Sequence, residues 1–469
     1  MQPQIQERIL QGSSAKLFPV LPESKKEERA TSILLSVLTI VPDFASKILE
    51  GCGVSISKRT IIESFTEISL KGEYSKMRPD GLLIVQNKAK TWSALIESKI
   101  GNATHSDEQI ENYLNLAKEQ KIDAVITISN QYTASPSIHP SYVKKQKHKS
   151  IALLHFSWAS INADSILLIE NKSVDDKEQA YILHELTRYL SHSSSGISSD
   201  ILLPKSWKSV CDSVYQGVAL KKNSPEAEET VAAWFQLLRF STINLSLALS
   251  RSCTVQLSRA HLKENNIRTQ ESVSSLISKS LLAGAIQVPD AASNLEIELD
   301  LNKRTLKLCA KIQTPKDVKQ TRAAINFVIN QFKKSEDETL FIRFNWPSRI
   351  NATQGKLLSH IDEETRLLLV PEGYKGLPTS AEIVRIVDLG ASVKSSKKLN
   401  EIFDSELINF YRNTLQNITN WQPKAPRVKK SVNAVQTSDA DQPTKPTKPT
   451  NSGEEVRSWP FMLGIFDNK

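Results

Sequence analysis

Apolar side chains along the first third of the chain change their spacing several times, and these changes predict alternating helices and strands. Helix spacing recurs over residues 33–41, 44–49 and 107–120. Short β-prone runs predict strands over residues 62–70, 82–85, 92–96, 124–128 and 151–156. The polar residues 87–90 separate the second and third of these runs and predict a hairpin turn. The order helix, strands, helix, strand, strand is typical of a layered α/β core.

The rest of the chain predicts a helical extension and then a domain of mixed helices and strands. Helical patterns cover residues 176–190, 226–249, 271–282, 318–332 and 399–417. Strand patterns cover residues 295–299, 305–312, 340–344 and 366–370, and a hairpin turn is predicted around Asn302-Lys303. From residue 423 the chain is rich in Pro, Thr, Lys and Ser, with too few apolar side chains to offset the entropy of ordering.

A chain of 469 residues is too long for one ordinary core, and at about 150 residues per domain it predicts two to three domains. The predicted divisions are an N-terminal arm (1–24), an α/β domain (25–165), a helical extension (166–224), an α+β domain of unknown role (225–422), a disordered linker (423–458) and an apolar C-terminal peptide (459–469). The C-terminal peptide is interpreted as a docking segment or, equally, as a frayed end.

Composition limits the compartment and the partners. The four cysteines lie far apart and form no CxxC pair, which argues against a structural zinc site and favours a reducing compartment. No basic segment leads into an apolar stretch near the start, and the apolar run at residues 33–41 is too short to span a bilayer. We therefore expect a cytoplasmic protein without a membrane partner. The formal charge of +9 permits an anionic partner, but the excess is spread along the chain and locates no site.

Candidate chemistry is concentrated at the predicted hairpin. Arg78-Pro79-Asp80-Gly81 precedes its first strand, and Glu97-Ser98-Lys99 ends its second. Asp80 and Glu97 can converge on one divalent cation, and Mg²⁺ (or Mn²⁺) prefers such carboxylate oxygens in sites that cleave phosphodiesters. The Ser98 carbonyl is a candidate third ligand. Lys99 shares a strand face with Glu97, where its charge can orient or deprotonate water and neutralise a phosphate.

This arrangement resembles the PD-(D/E)xK nuclease superfamily, which has a restriction-endonuclease-like fold. The resemblance covers residues 25–165 and implies metal ligation by Asp80 and Glu97 and catalysis by Lys99. It also implies an acidic helix residue beside the metal, Glu28. Gln109 and Tyr113 resemble the QxxxY motif of the exonuclease and RecB-like branch, and their spacing places both on one helix face. The implied activity is metal-dependent hydrolysis of nucleic acid, DNA more than RNA, in prokaryotic defence or repair.

Several alternatives stay open at this stage. Pro42-Asp43, Pro289-Asp290 and Glu170-Asn171-Lys172 match parts of the signature without its context, and His184-Glu185 lacks the second histidine of a zinc-protease helix. The basic loop that contains Lys144, Lys145, Lys147 and Lys149 predicts either phosphate contacts or plain solvation. Trp158 and Tyr132 predict base stacking or, more commonly, packing. A catalytically inactive protein that binds nucleic acid or another partner on this fold is the alternative function, and a homo-oligomer is left open.

Overall fold

The computed structural model describes residues 5–88, 90–140, 150–197, 201–221, 224–333, 335, 337–347, 355–362 and 365–422. These residues belong to one compact unit that ends at Gln422. It contains two β-sheets with helices packed on them, so the predicted mixed α/β class is confirmed. The predicted linker, the C-terminal peptide and the basic residues Lys144, Lys145, Lys147 and Lys149 lie outside the described residues.

The first sheet has six strands in sequence order. They are β1 (Ile9–Ser14), β2 (Ile61–Leu70), β3 (Gly81–Asn87), β4 (Lys90–Ser98), β5 (Ala124–Ser129) and β6 (Ala152–Ser157). Strands β1 to β4 pair antiparallel, whereas β4, β5 and β6 run parallel. Strand β1 comes from the segment predicted to be a polar arm, and it forms the edge of the sheet. Because β4, β5 and β6 run parallel, their carboxyl ends lie at the same end of the sheet.

Helices cover both faces of this sheet. They are α1 (Lys26–Ile40), α2 (Pro42–Glu50), α3 (Asp107–Gln120), α4 (Trp158–Glu170) and α5 (Lys177–Ser191). Alternate residues of a strand enter different cores: Leu83 and Val85 of β3 pack with α1, α2, α4 and α5, while Leu82 and Ile84 pack with α3. Burial on both faces explains why β3 to β5 are continuous apolar runs rather than alternating ones.

The second sheet is antiparallel, with strands in the order β12-β11-β13-β10-β9-β8-β7. Its strands are β7 (Thr254–Val255), β8 (Leu281–Gln287), β9 (Leu295–Asp300), β10 (Thr305–Gln313), β11 (Phe341–Asn345), β12 (Lys356–Leu357) and β13 (Ser380–Asp388). The helices of this part are α6 (Lys205–Tyr215), α7 (Pro225–Leu249), α8 (Arg259–Lys263), α9 (Asn265–Lys279), α10 (Thr321–Asn330) and α11 (Ser396–Asn413). Its core gathers apolar side chains from α6, α7, α10, α11 and the inner face of the sheet.

Two predictions for this second part are wrong, and strands β8 and β13 were missed. The helix predicted to run to residue 282 ends at Lys279, because Ser280 takes a left-handed conformation (φ 58°) and strand β8 begins after it. A serine at that position gives none of the glycine signal that usually marks a helix end. Residues 366–370 were expected to be a strand, but Leu367–Leu369 is a 3₁₀ turn. Strand β13, which lies in the middle of the sheet, was missed.

Among the described residues no single helix is long and apolar enough to cross a membrane. Helices α1 and α2 reach the required length only when counted together, and they meet at a bend of 109°.

Candidate active site

Pairing of β3 with β4 brings the two halves of the sequence signature together. Gly81 lies opposite Ile96, so Asp80, just before β3, is adjacent to Glu97 near the end of β4. The first turn of α1 lies over this point. A Cβ atom on Gly81 would lie 2.5 Å from Leu35 Cδ1, so the glycine permits the close approach of α1 to the strand. The site is thus built from two strand ends and one helix terminus.

Asp80 is held by hydrogen bonds from the residue after Glu97. Its Oδ2 accepts from the Ser98 backbone N–H (2.7 Å) and from Ser98 Oγ (3.0 Å). The Ser98 hydroxyl also lies 2.5 Å from Thr31 Oγ1 on α1, and Thr31 Oγ1 in turn donates to the Glu27 carbonyl. This chain of contacts fixes the Asp80 carboxylate against both the strand and the helix.

Lys99 places its ammonium group among three oxygens. Lys99 Nζ donates to Glu97 Oε1 (2.8 Å), to Glu27 Oε1 (2.9 Å) and to the Ser98 carbonyl (2.8 Å). Burial lowers the pKa of Lys99, but the nearby Glu97 and Glu27 carboxylates outweigh this effect and raise the pKa above its usual value. The side chain is therefore a protonated cation at neutral pH in this arrangement. The Ser98 carbonyl, predicted as a metal ligand, accepts from this lysine.

Glu97 is the most enclosed carboxylate of the group, with 3% of its surface exposed. Its Oε1 accepts from Lys99 and also from Gln109 Nε2 (2.6 Å). Its Oε2 is buried and has no hydrogen-bond partner among the described residues. A buried carboxylate oxygen without a partner is costly, and a bound cation would satisfy it.

Helix α3 carries Gln109 and Tyr113 toward the same point. The helix begins where Ser106 Oγ accepts from the Gln109 backbone N–H, an N-cap that the sequence Ser106-Asp107 allows. Tyr113 is buried, and its hydroxyl makes a long contact (3.5 Å) with the Arg78 carbonyl. Burial and the nearby negative charge of Glu97 raise the pKa of Tyr113. The predicted pair therefore shares one helix face, and Gln109 touches Glu97 directly.

The acidic residue of α1 that contacts Lys99 is Glu27, whereas Glu28, predicted to lie beside the metal, pairs with a lysine of its own segment. Glu28 Oε2 pairs with Lys25 Nζ (2.5 Å), whereas Glu27 bonds Lys99 and also accepts from the Ile100 backbone N–H (3.3 Å). Adjacent helix residues point about 100° apart, so a choice between Glu27 and Glu28 depends on how the helix is rotated, which the sequence does not specify. The signal that favours Glu27 is Thr31 four residues later, on the same face and in contact with Ser98.

Two sequence candidates for base stacking are core residues instead. Trp158 has no exposed surface, and its Nε1 donates to the Lys99 carbonyl (2.9 Å). Tyr132 is buried and meets the Phe240 ring edge to face at 5.7 Å. Neither ring is available to stack on a base in this conformation. The hydrogen bond from Trp158, however, holds the backbone of Lys99 in place.

The donor set fits a hard divalent cation. Burial, followed by the neighbouring Glu97 charge, raises the pKa of Asp80 to about 7, so a positive charge at this point would stabilise the ionised pair. Among the described residues no group of three or more His, Cys, Asp or Glu side chains is arranged to hold a metal. Any ion here would therefore be bound by two carboxylates, with waters completing its coordination shell. Mg²⁺ prefers such coordination, whereas Zn²⁺ does not.

This raised pKa makes a prediction about stability. The folded protein keeps a proton on Asp80 up to a higher pH than the unfolded chain, so the free energy of unfolding in EDTA should fall as pH rises from about 4 to 7 and stay low above that range. Urea unfolding at both ends of the range should show this fall for wild type and a smaller one for Asp80→Asn. At high pH, Mn²⁺ should stabilise wild type more than Asp80→Asn, because the variant lacks one metal ligand. If the free energy of unfolding changed equally with pH in wild type and Asp80→Asn in EDTA, the raised pKa assigned to Asp80 would be wrong.

The chain matches no model of a known protein family, no curated protein and no solved structure. The functional argument therefore depends on the geometry of the site.

Proposed function

We propose that this chain is a metal-dependent nuclease that hydrolyses phosphodiester bonds. The observation that carries the proposal is the buried, unpartnered Oε2 of Glu97, which lies in a group with Asp80 and the ammonium of Lys99. Lys99 bonds only Oε1 of Glu97, so Oε2 still lacks a partner, and a cation between the two carboxylates would satisfy it. The sheet order and the helix α3 after the signature are also compatible with a restriction-endonuclease-like core.

Each residue then has a stated task. Asp80 and Glu97 would hold the divalent cation, which would polarise the phosphate and lower the pKa of a bound water. Lys99, kept protonated by Glu97 and Glu27, supplies a fixed positive charge for the phosphate as it gains negative charge. This favours the electrostatic role for Lys99 over deprotonation of water. Gln109 orients Glu97 through its 2.6 Å hydrogen bond.

The choice of DNA over RNA, and of a role in prokaryotic defence or repair, is supported only by the resemblance to PD-(D/E)xK nucleases. The resemblance depends on Asp80, Glu97 and Lys99 together with Gln109 and Tyr113. Both choices are therefore part of the proposal, and the assay below uses DNA and RNA side by side.

Cleavage assays test the proposal directly. The protein should cut plasmid or linear DNA with Mg²⁺ or Mn²⁺ and lose this activity in EDTA. Asp80→Asn should lower the rate by at least about 100-fold, since it removes a charged metal ligand. The matched control is Asp43→Asn, because Asp43 also follows a proline but is exposed on α2, away from the site. Nicked or linearised circles would indicate an endonuclease, and attack on linear DNA alone an exonuclease.

Two results would refute the nuclease proposal: no cleavage with any metal on DNA or RNA, or cleavage that Asp80→Asn leaves unchanged. A specific observation then favours the alternative of an inactive nucleic-acid-binding or interaction protein. Lys99 already bonds both Glu27 and Glu97 without a metal, so part of the negative charge of the site is balanced with no ion bound.

A further inference from the structure

A cavity with both polar and apolar lining lies beside the segment that follows β5, at the carboxyl end of that strand. It has a volume of about 110 Å³ and is lined by the segment after β5 and by helices α7 and α9. A neighbouring cavity of about 170 Å³ shares Gln131, Tyr132 and Gln236 with it and reaches the loop that follows Lys99. Cavities at the ends of parallel strands and at junctions between layers are common ligand sites.

The wall of the first cavity contains a buried arginine without an acidic partner. Arg268 has 6% of its surface exposed, and its guanidinium carbon lies 3.7 Å from the centre of the Phe235 ring. It makes no hydrogen bond or ion pair with any described residue. Burial alone lowers its pKa, to about 10, so it remains charged at neutral pH. A buried charge without a counter-charge is expensive, and stacking on one ring offsets only part of that cost.

The start of α9 adds to this positive character. Asn265, Arg268 and Thr269, all in the first turns of this 15-residue helix, line the cavity. The N-cap residue Glu264 is exposed and its side chain makes no capping hydrogen bond, and the first turn contains no acidic residue. The free N–H groups and the dipole of a helix N-terminus favour an anion. An uncapped helix start and a buried, unpaired guanidinium on one wall point to the same kind of ligand.

The remaining polar lining adds two side-chain amides to the arginine. Gln131 and Gln236 supply these amides, whereas the hydroxyls of Thr133 and Thr269 already donate to the Ser135 and Asn265 carbonyls. The buried Oδ1 of Asn265 has no partner among the described residues and can accept from a ligand hydroxyl. A planar guanidinium with two further amide groups matches the oxygens of a phosphate group.

We propose that this cavity binds a phosphate group, either of a small nucleotide or of a nucleic-acid strand. The proposal uses none of the residues of the candidate active site, so it stands or falls separately from the nuclease activity. The two sites share the sheet edge: His139, on the cavity wall, contacts Thr127 Oγ1 (2.7 Å), and Thr127 is the ladder partner of Glu97. A strand or nucleotide held here would therefore lie near the loop that carries Lys99.

Titration calorimetry in EDTA tests the proposal with three probes: inorganic phosphate, deoxyadenosine monophosphate and a short single-stranded DNA. Wild type should bind at least one of them, and Arg268→Gln should weaken that binding by at least about tenfold, as expected for a lost charge-assisted contact. Arg268→Lys should retain part of it. Thermal unfolding provides a second readout, since about 10 mM phosphate should raise the Tm of wild type more than that of Arg268→Gln.

Arg304→Gln is the matched control, because Arg304 also stacks on an aromatic ring, at 3.3 Å from the centre of Tyr215, but lies outside the cavity. Arg304→Gln should bind the three probes as tightly as wild type does. Binding of phosphate or the mononucleotide identifies a small ligand, and binding of the DNA alone identifies a strand phosphate. Absence of binding with all three probes, undiminished binding by Arg268→Gln, or an equal loss in Arg304→Gln would overturn the proposal.

Discussion

Replacing Lys99 with methionine should lower the rate of DNA cleavage by about 10²–10³-fold while leaving metal binding intact. The reason is the position of the ammonium group, which bonds Glu97 Oε1 and the Ser98 carbonyl but is not itself a metal ligand. Methionine keeps much of the side-chain volume and removes the charge together with its three hydrogen bonds. Because the lysine occupies oxygens that a cation would also use, Mn²⁺ affinity measured by calorimetry should be equal or higher in Lys99→Met.

The matched control for this experiment is Lys172→Met. Lys172 ends the sequence Glu170-Asn171-Lys172, which imitates the signature, but it is exposed and Glu170 bonds Ser250 instead of a site residue. Its cleavage rate should equal that of wild type. Full activity in Lys99→Met, or loss of Mn²⁺ binding together with activity, would show that the electrostatic role assigned to Lys99 is wrong.

Trp158→Ala should be the most damaging single change to stability near the site, with an expected loss of about 3–5 kcal/mol in the free energy of unfolding. Trp158 has no exposed surface and packs in the core shared by α1, α2, α4 and α5. The substitution leaves a cavity there and also removes the donor to the Lys99 carbonyl. Urea unfolding followed by circular dichroism measures the loss.

A milder pair of variants separates stability from function. Trp158→Phe and Trp207→Phe each remove one indole N–H that donates to a main-chain carbonyl, of Lys99 and of Val393 respectively. Both rings are fully buried, so each variant should lose about 1–2 kcal/mol. Only Trp158→Phe should also slow cleavage, because only Trp158 bonds the carbonyl of a site residue, Lys99. Equal rates in the two variants would show that Trp158 has a purely structural role.

The sequence predicted the first sheet well because its signals are local. Helix α3 was predicted at its observed bounds, Asp107–Gln120, since Ser106 is a good N-cap and the apolar face is regular. The hairpin of β3 and β4 follows from two apolar runs separated by a short polar turn. This hairpin is also what brings Asp80 next to Glu97, so the central pair of the candidate site could be predicted from spacing alone.

The features that were missed depend on tertiary contacts. Strand β13 is the exception, because its β-branched run lies between Pro378 and Gly390, which are local signals for a strand. The contact of Glu27 with Lys99 requires the rotation of α1 about its axis, which the packing of Leu35 on Gly81 sets. Arg268 gives no sequence signal, because only the folded chain shows that it is buried and without an acid.

The three oxygens that surround the Lys99 ammonium group also have an evolutionary consequence. Most active sites lose stability when their cofactor or metal is withdrawn, so selection for a folded protein helps to retain the ion. Here Lys99 bonds Glu27, Oε1 of Glu97 and the Ser98 carbonyl without an ion, so only part of the site depends on a metal. A descendant that lost Asp80 would therefore keep its fold at little cost and could drift into a binding role. Among relatives of this chain, inactive copies should retain the lysine and both glutamates longer than the aspartate.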